Sequence, residues 1–178
     1  MPAPADFLAR VQNSGVHYLD LQFSDIAGGP KSLTIPLGAL PDALDHGVWF
    51  DGSSVDGFAR IAESDLCLEP DPATFAVLPW LSGDQATGRL ICQVRSPAGE
   101  PFPGDPRGAL IRALAAAAQM GFAFHTSPEV EFFLLKPAAS GRPAVPHDSV
   151  GYFDVPDETA GQLRQQLAAA AAAFQIVI

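Results

Sequence analysis

The stretch on which the reading of this chain turns is Phe50-Asp51-Gly52-Ser53-Ser54-Val55-Asp56-Gly57-Phe58, continued by Ile61, Glu63-Ser64-Asp65 and Pro70-Asp71. Two glycines, two adjacent serines and several acids lie between apolar segments, a composition that suits an ordered loop carrying carboxylates rather than a spacer. Asp51 follows the apolar Val48-Trp49-Phe50 and precedes Gly52, which puts its carboxylate at a strand end beside a tight backbone. Two readings fit: an acid that binds a cation or accepts a proton, or an Asx-type cap on the Ser53 and Ser54 amides. Both serines suit a turn, and no Gly-x-Ser-x-Gly elbow marks either as a nucleophile. Asp65 and Glu63 either line the same loop or face solvent.

Outward from the loop, the apolar pattern reads as strands. Leu19, Leu21 and Phe23 alternate with Tyr18, Asp20 and Gln22, Asp25 to Pro30 makes a turn, and Ser32 to Ile35 returns. Leu37, Leu40 and Leu44 share a helical face that Pro41 keeps short and Gly47 ends. After the loop, Leu66 and Leu68, then Phe75 to Leu78, then Leu90, Cys92 and Val94 give further strands. Strands around one short helix predict a compact α+β domain over residues 16–97, preceded by an N-terminal segment, 1–15. Pro97 to Pro106, with four prolines and two glycines, is the candidate linker, 98–106. Beyond it, Asp105 can cap a helix with Pro106 in its first turn, Leu110, Ile111, Leu114, Ala117 and Ala118 on one face and Gly121 at its end. Phe122 to Phe124 and Val130 to Leu135 read as strands of one hairpin. A last helix starts at Asp157 with Leu163, Leu167, Ala170, Ala171 and Phe174 on one face, in a second domain over 107–178. The apolar end Gln175-Ile176-Val177-Ile178 has strand character, which suggests a chain continuing into a sheet and hence a fragment.

The totals narrow the function. The 178 residues are 48% hydrophobic and 17% charged, which is globular, and the formal net charge of −10 with only ten scattered Lys and Arg argues against nucleic acid. The N-terminus lacks a secretion signal and no apolar run reaches the ~20 residues of a spanning helix, so the expectation is a cytoplasmic protein without membrane contact. Cys67 and Cys92 sit in alternating apolar segments and read as buried free thiols. His17, His46, His125 and His147 show no metal-type spacing.

Glu129 and Glu131 are two acids in an otherwise apolar stretch, and on a strand they would project to one side about 6–7 Å apart. Their oxygens suit hard ions such as Mg²⁺ or Mn²⁺; the alternative is a solvated strand face.

Taken together, Phe50-Asp51-Gly52-Ser53-Ser54-Val55-x-Gly57-Phe58, Glu63-Ser64-Asp65-Leu66, Arg89-Leu90-Ile91-Cys92-Gln93-Val94, Pro101-Phe102-x-Gly104-Asp105-Pro106-Arg107 and Pro128-Glu129-Val130-Glu131-Phe132-Phe133-Leu134 resemble glutamine synthetase in the family's order. The resemblance implies an N-terminal β-grasp domain followed by the first part of the catalytic domain. It implies an enzyme that makes glutamine from glutamate and ammonia with ATP as co-substrate, through γ-glutamyl phosphate, with Mg²⁺ or Mn²⁺ neutralising phosphoryl oxygens. By the same resemblance, Glu129 and Glu131 would each ligate one of two ions, and Asp51 would bind ammonium and take its proton, with Ser54 and Asp65 shaping the pocket. The Asp51 loop would serve a neighbouring subunit of a ring-shaped homo-oligomer. Asp56 and Phe58 depart from the family's frequent small residue and Trp. With the family's other ligands absent, the chain alone is expected to be inactive. Two alternatives stand beside this reading: a γ-glutamyl ligase for a larger amine, and a non-catalytic β-grasp remnant that oligomerises or binds a partner.

Overall fold

A computed structural model describes residues 5–58, 65–138 and 143–177. Ile61, Glu63 and Ser64 of the organising stretch, and the terminal Ile178, lie outside the described residues. The chain divides into two compact units, residues 1–124 and 125–178.

The first unit is built on one mixed sheet. Its strands are β1 (Tyr18–Ser24), β2 (Pro30–Pro36), β3 (Val48–Asp51), β4 (Asp65–Pro70), β5 (Ala76–Val77) and β6 (Thr87–Arg95), in the order β2-β1-β6-β4-β3 with β5 also paired to β6. β1 and β6 run parallel, from Tyr18↔Thr87 to Gln22↔Ile91, and the other pairs are antiparallel. Alternation in the sequence becomes alternation in burial: Leu19, Leu21 and Phe23 of β1 and Leu90, Cys92 and Val94 of β6 all point into the core. Burying one such Leu is worth roughly 1.5–3 kcal/mol.

Two helices supply the other side of that core. α1 (Ala5–Gln12) contributes Phe7 and Val11, and α2 (Leu40–His46) contributes Leu40 and Ala43. α2 follows a 3-10 turn at Leu37–Ala39 and starts with Pro41 in its first turn, where the missing N–H costs no hydrogen bond. The α1 helix lies within the N-terminal segment 1–15, for which the sequence predicts no element. Its apolar residues, Phe7, Leu8 and Val11, span little more than one turn, too short for periodicity to speak.

The Pro97 to Pro106 segment is tied back to the sheet. Phe102 N–H donates to Val94 O (2.9 Å), Phe102 stacks on Phe58 at 5.4 Å, and the buried Asp105 carboxylate accepts from Val94 N (3.1 Å) and from Arg107 N (3.0 Å). Asp105 thereby caps α3 (Pro106–Gln119) as its sequence position predicts, and Arg107 pairs with Asp71 at 2.6 Å. The apolar face of α3 is present but open: Leu110, Ile111 and Leu114 are exposed.

The second unit departs from expectation. Among the described residues it has one regular element, α4 (Glu158–Ala173), capped by Asp157, which accepts from Ala160 N (2.9 Å) and contacts His147 Nε2 (2.6 Å). The predicted hairpin is absent: 122–124, at the end of the first unit, and 130–135 form no strands, and a bridge joins Leu135 to Pro146. Residues 175–177 are likewise outside any strand. Strand propensity cannot be realised without a ladder partner for the backbone N–H and C=O groups. Phe132 and Phe133 are accordingly exposed.

Candidate functional site

β3 and the turn after it place Asp51. Gly47 ends α2 with φ +73 and lets the chain reverse into β3; a Cβ there would collide with Cys67 Sγ and lie 2.9 Å from Leu68 O. Asp51 closes β3 and caps the 3-10 turn Gly52–Ser54, with its Oδ1 accepting from Ser53 N (2.9 Å) and from Ser53 Oγ (2.6 Å). The Asx-type cap is therefore realised at Ser53. The Ser53 hydroxyl, then the Ser53 amide, with a smaller contribution from the Ser54 hydroxyl, hold the Asp51 carboxyl below its usual range. Ser54 ends the turn and is exposed.

The second acid is brought in by register. β3 pairs antiparallel with β4 so that Asp51 stands directly opposite Asp65, at the end of the ladder, and both residues are exposed. Opposed residues project from the same face, with Cβ atoms about 4.5–5.5 Å apart, and like charges so placed repel. The turn itself is anchored in the core by Val55 and Phe58, the latter packed on Phe23 at 5.9 Å.

Glu129 and Glu131 are exposed and lie in non-ladder chain of the second unit, so the same-side geometry of a strand is not imposed on them. Among the described residues no group of three or more His, Cys, Asp and Glu gathers where it could hold a metal ion.

Two further polar groups order the first unit. Asp25, in the β1–β2 turn, accepts from Ala27 N (3.0 Å) and Gly29 N (2.7 Å) and pairs with Lys31 (2.9 Å). The pairing of Arg107 with Asp71 is the other. Cys67 and Cys92 are buried free thiols as expected, with burial pushing the Cys92 thiol up to about 12.

A family profile described as glutamine synthetase, beta-Grasp domain, matches residues 15–97, and one described as glutamine synthetase, catalytic domain, matches residues 103–178. The chain belongs to the glutamine synthetase family. It is 44% identical over 163 residues to a glutamine synthetase of Halobacterium salinarum, covering 90% of this chain and 36% of that protein. It is 42% identical over 158 residues to one of Mycobacterium tuberculosis, covering 86% and 35%. The chain thus spans little more than a third of the length of these curated relatives. Among solved structures, a structure described as apo GmaS without ligand superposes with a TM-score of 0.68 at 23% identity, covering 96% of this chain and 39% of that one. A GmaS/ADP complex gives 0.63 at 21% identity, covering 98% and 38%. These likenesses agree with the α+β architecture, a β-grasp domain followed by the start of a glutamine-synthetase-type catalytic domain.

No described helix is long and apolar enough to cross a membrane.

Proposed function

We propose that this chain supplies the ammonium-binding side of a glutamate–ammonia ligase, with Asp51 as the acid that holds ammonium and takes its proton, and Ser54 and Asp65 shaping the pocket. The observation that carries the proposal is the register pairing of Asp51 with Asp65 at an exposed ladder end. Two carboxylates held on one face are relieved of mutual repulsion by a small cation. The Ser53 donors keep Asp51 ionised, so it binds ammonium as a charge first. Proton transfer to the carboxylate frees the nitrogen lone pair to attack the γ-carbonyl carbon of γ-glutamyl phosphate; the C–O bond to phosphate then breaks with its electrons on the leaving phosphate, which takes the second N–H proton as the amide forms. That acyl phosphate arises when the glutamate γ-carboxylate takes the terminal phosphoryl group of ATP and ADP departs.

Glu129 and Glu131 are the residues that would hold divalent cations. Their carboxylate oxygens fit Mg²⁺ or Mn²⁺ by donor type, but two residues cannot fill a six-coordinate shell, and further ligands must complete it. Bound there, the ions would neutralise charge on phosphoryl oxygens. The family reading also carries ring-shaped homo-oligomers whose active sites lie between subunits, with the β-grasp domain over 16–97 and the catalytic domain from 107 onward.

The test is ATP-dependent glutamine formation. The chain by itself is expected to show none, and the chain joined to the remaining catalytic-domain sequence of the Halobacterium salinarum relative is expected to be active. In that protein Asp51→Asn should lower kcat/KM for ammonium at least about 100-fold, the scale of losing a positioned acid–base group. Preference for polyamines or aromatic amines over ammonium would assign the larger-amine reaction instead. Unchanged ammonium kinetics in the Asp51 variant would remove that residue's role.

A further inference from the structure

The Asp51 turn carries one contact from outside its own strands. Ile26, at the tip of the β1–β2 turn, lies directly on Gly57: a Cβ at position 57 would overlap Ile26 Cδ1 and approach Cγ1 to 2.9 Å. Gly57 has φ +78, a conformation that disfavours other residues, so both the backbone and the space demand glycine. Ile26 is 59% exposed, and its side chain therefore does little for the core. The turn that presents it is rigid. Asp25 is buried, accepts from Ala27 N and Gly29 N, pairs with Lys31, and its own N–H donates to Gly29 O (3.0 Å). A Cβ on Gly29 would come within 2.8 Å of Asp25 Oδ2, so that turn too is closed tightly on itself.

We infer that Ile26 is a positioning residue that clamps the Asp51–Phe58 turn through Gly57. The Asp25–Lys31 turn serves as its rigid mount, so the geometry of the candidate ammonium acid depends on a β-hairpin tip distant in sequence. An exposed isoleucine resting on a glycine is a contact that orders a loop without adding to the core. Val55 and Phe58 anchor the turn in the core, and Ile26 adds a contact at Gly57 from outside that core. The inference deepens the proposed function and rests on it only for its consequence for ammonium; the clamp itself is a property of the turn.

The experiment uses the 178-residue chain and NMR. Ile26→Ala is expected to speed hydrogen exchange of the Ser53 amide about tenfold and to move the Asp51 carboxyl titration upward, while amides of β1 and β6 keep their protection. Ile26→Leu, which retains the bulk, should restore both readouts. Gly57→Ala, which forces the same contact apart, should act in the same direction as Ile26→Ala. If Ser53 exchange and the Asp51 titration stay unchanged in Ile26→Ala with the fold intact, the clamp is wrong. Equal acceleration across β1 and β6 would likewise overturn it, because Ile26 would then be a general stabiliser. Titration of the unaltered chain with ammonium, against tetramethylammonium at equal ionic strength, reads the underlying assignment separately. A response of Asp51 and Asp65 to ammonium alone supports that assignment, and its absence counts against the ammonium reading while leaving the clamp result standing.

Discussion

Asp51 shows how one carboxylate can be both a turn cap and a candidate functional acid. The cap uses Oδ1 for the Ser53 N–H and O–H, and those donors lower its pKa from the usual 3.8. A depressed folded-state pKa gives stabilisation that is present above the unfolded value and is lost as pH falls through the lower folded value. The turn should thus hold its order through mildly acidic pH and loosen below about 3.8, the unperturbed carboxyl value. Ser53→Ala should bring the Asp51 titration back toward that value, as followed by the carboxyl carbon chemical shift; an unchanged midpoint would show that the hydroxyl contributes nothing. The sequence made Asp51 legible as an acid at a strand end and left cap and cation binder as rivals. The geometry shows them to be compatible, because a capped carboxylate stays ionised.

At the scale of elements, the β3–β4 ladder is what turns two separated acids into neighbours. Its entry depends on Gly47, whose positive φ and contact with β4 admit no side chain. Gly47→Ala is expected to destabilise the first unit by about 2–3 kcal/mol, combining backbone strain with displacement of Cys67, and the denaturant midpoint should fall accordingly. The sequence placed these strands well because alternation in β1 and β6 coincides with burial on one face. It does not predict residues 122–135 correctly, where apolar content suits a hairpin that the fold does not form. Local pattern reports the capacity to be a strand, whereas a ladder partner is a matter of the rest of the fold. The α1 helix is illegible for the opposite reason, since its short apolar face gains meaning only through the burial of Phe7 and Val11 in the core.

Across the whole molecule, buried apolar side chains are concentrated in one unit. Among the described residues, the buried members of the core cluster lie between Phe7 and Val94, whereas Phe133, Tyr152, Phe153 and Val177 are each more than four-fifths exposed. Stability should therefore be uneven. Hydrogen exchange is expected to protect β1, β4 and β6 strongly while most amides of residues 125–177 exchange far faster, and limited proteolysis should cut within the second unit first. Uniform protection across both units would contradict this.

Much was determined by the sequence alone: the strand faces, the Asp105 cap, the start of the last helix at Asp157, the Gly47 stop and the motif order that points to the glutamine synthetase family. Each of these is written in local periodicity or in the chemistry of single residues. The tertiary structure decided what local pattern cannot contain. It set Asp51 opposite Asp65, fastened the proline-rich segment to β6 through Asp105, and rested Ile26 on the turn that carries Asp51. Those are contacts between residues far apart in the chain, fixed by strand register and packing, and they exist only once the sheet has closed.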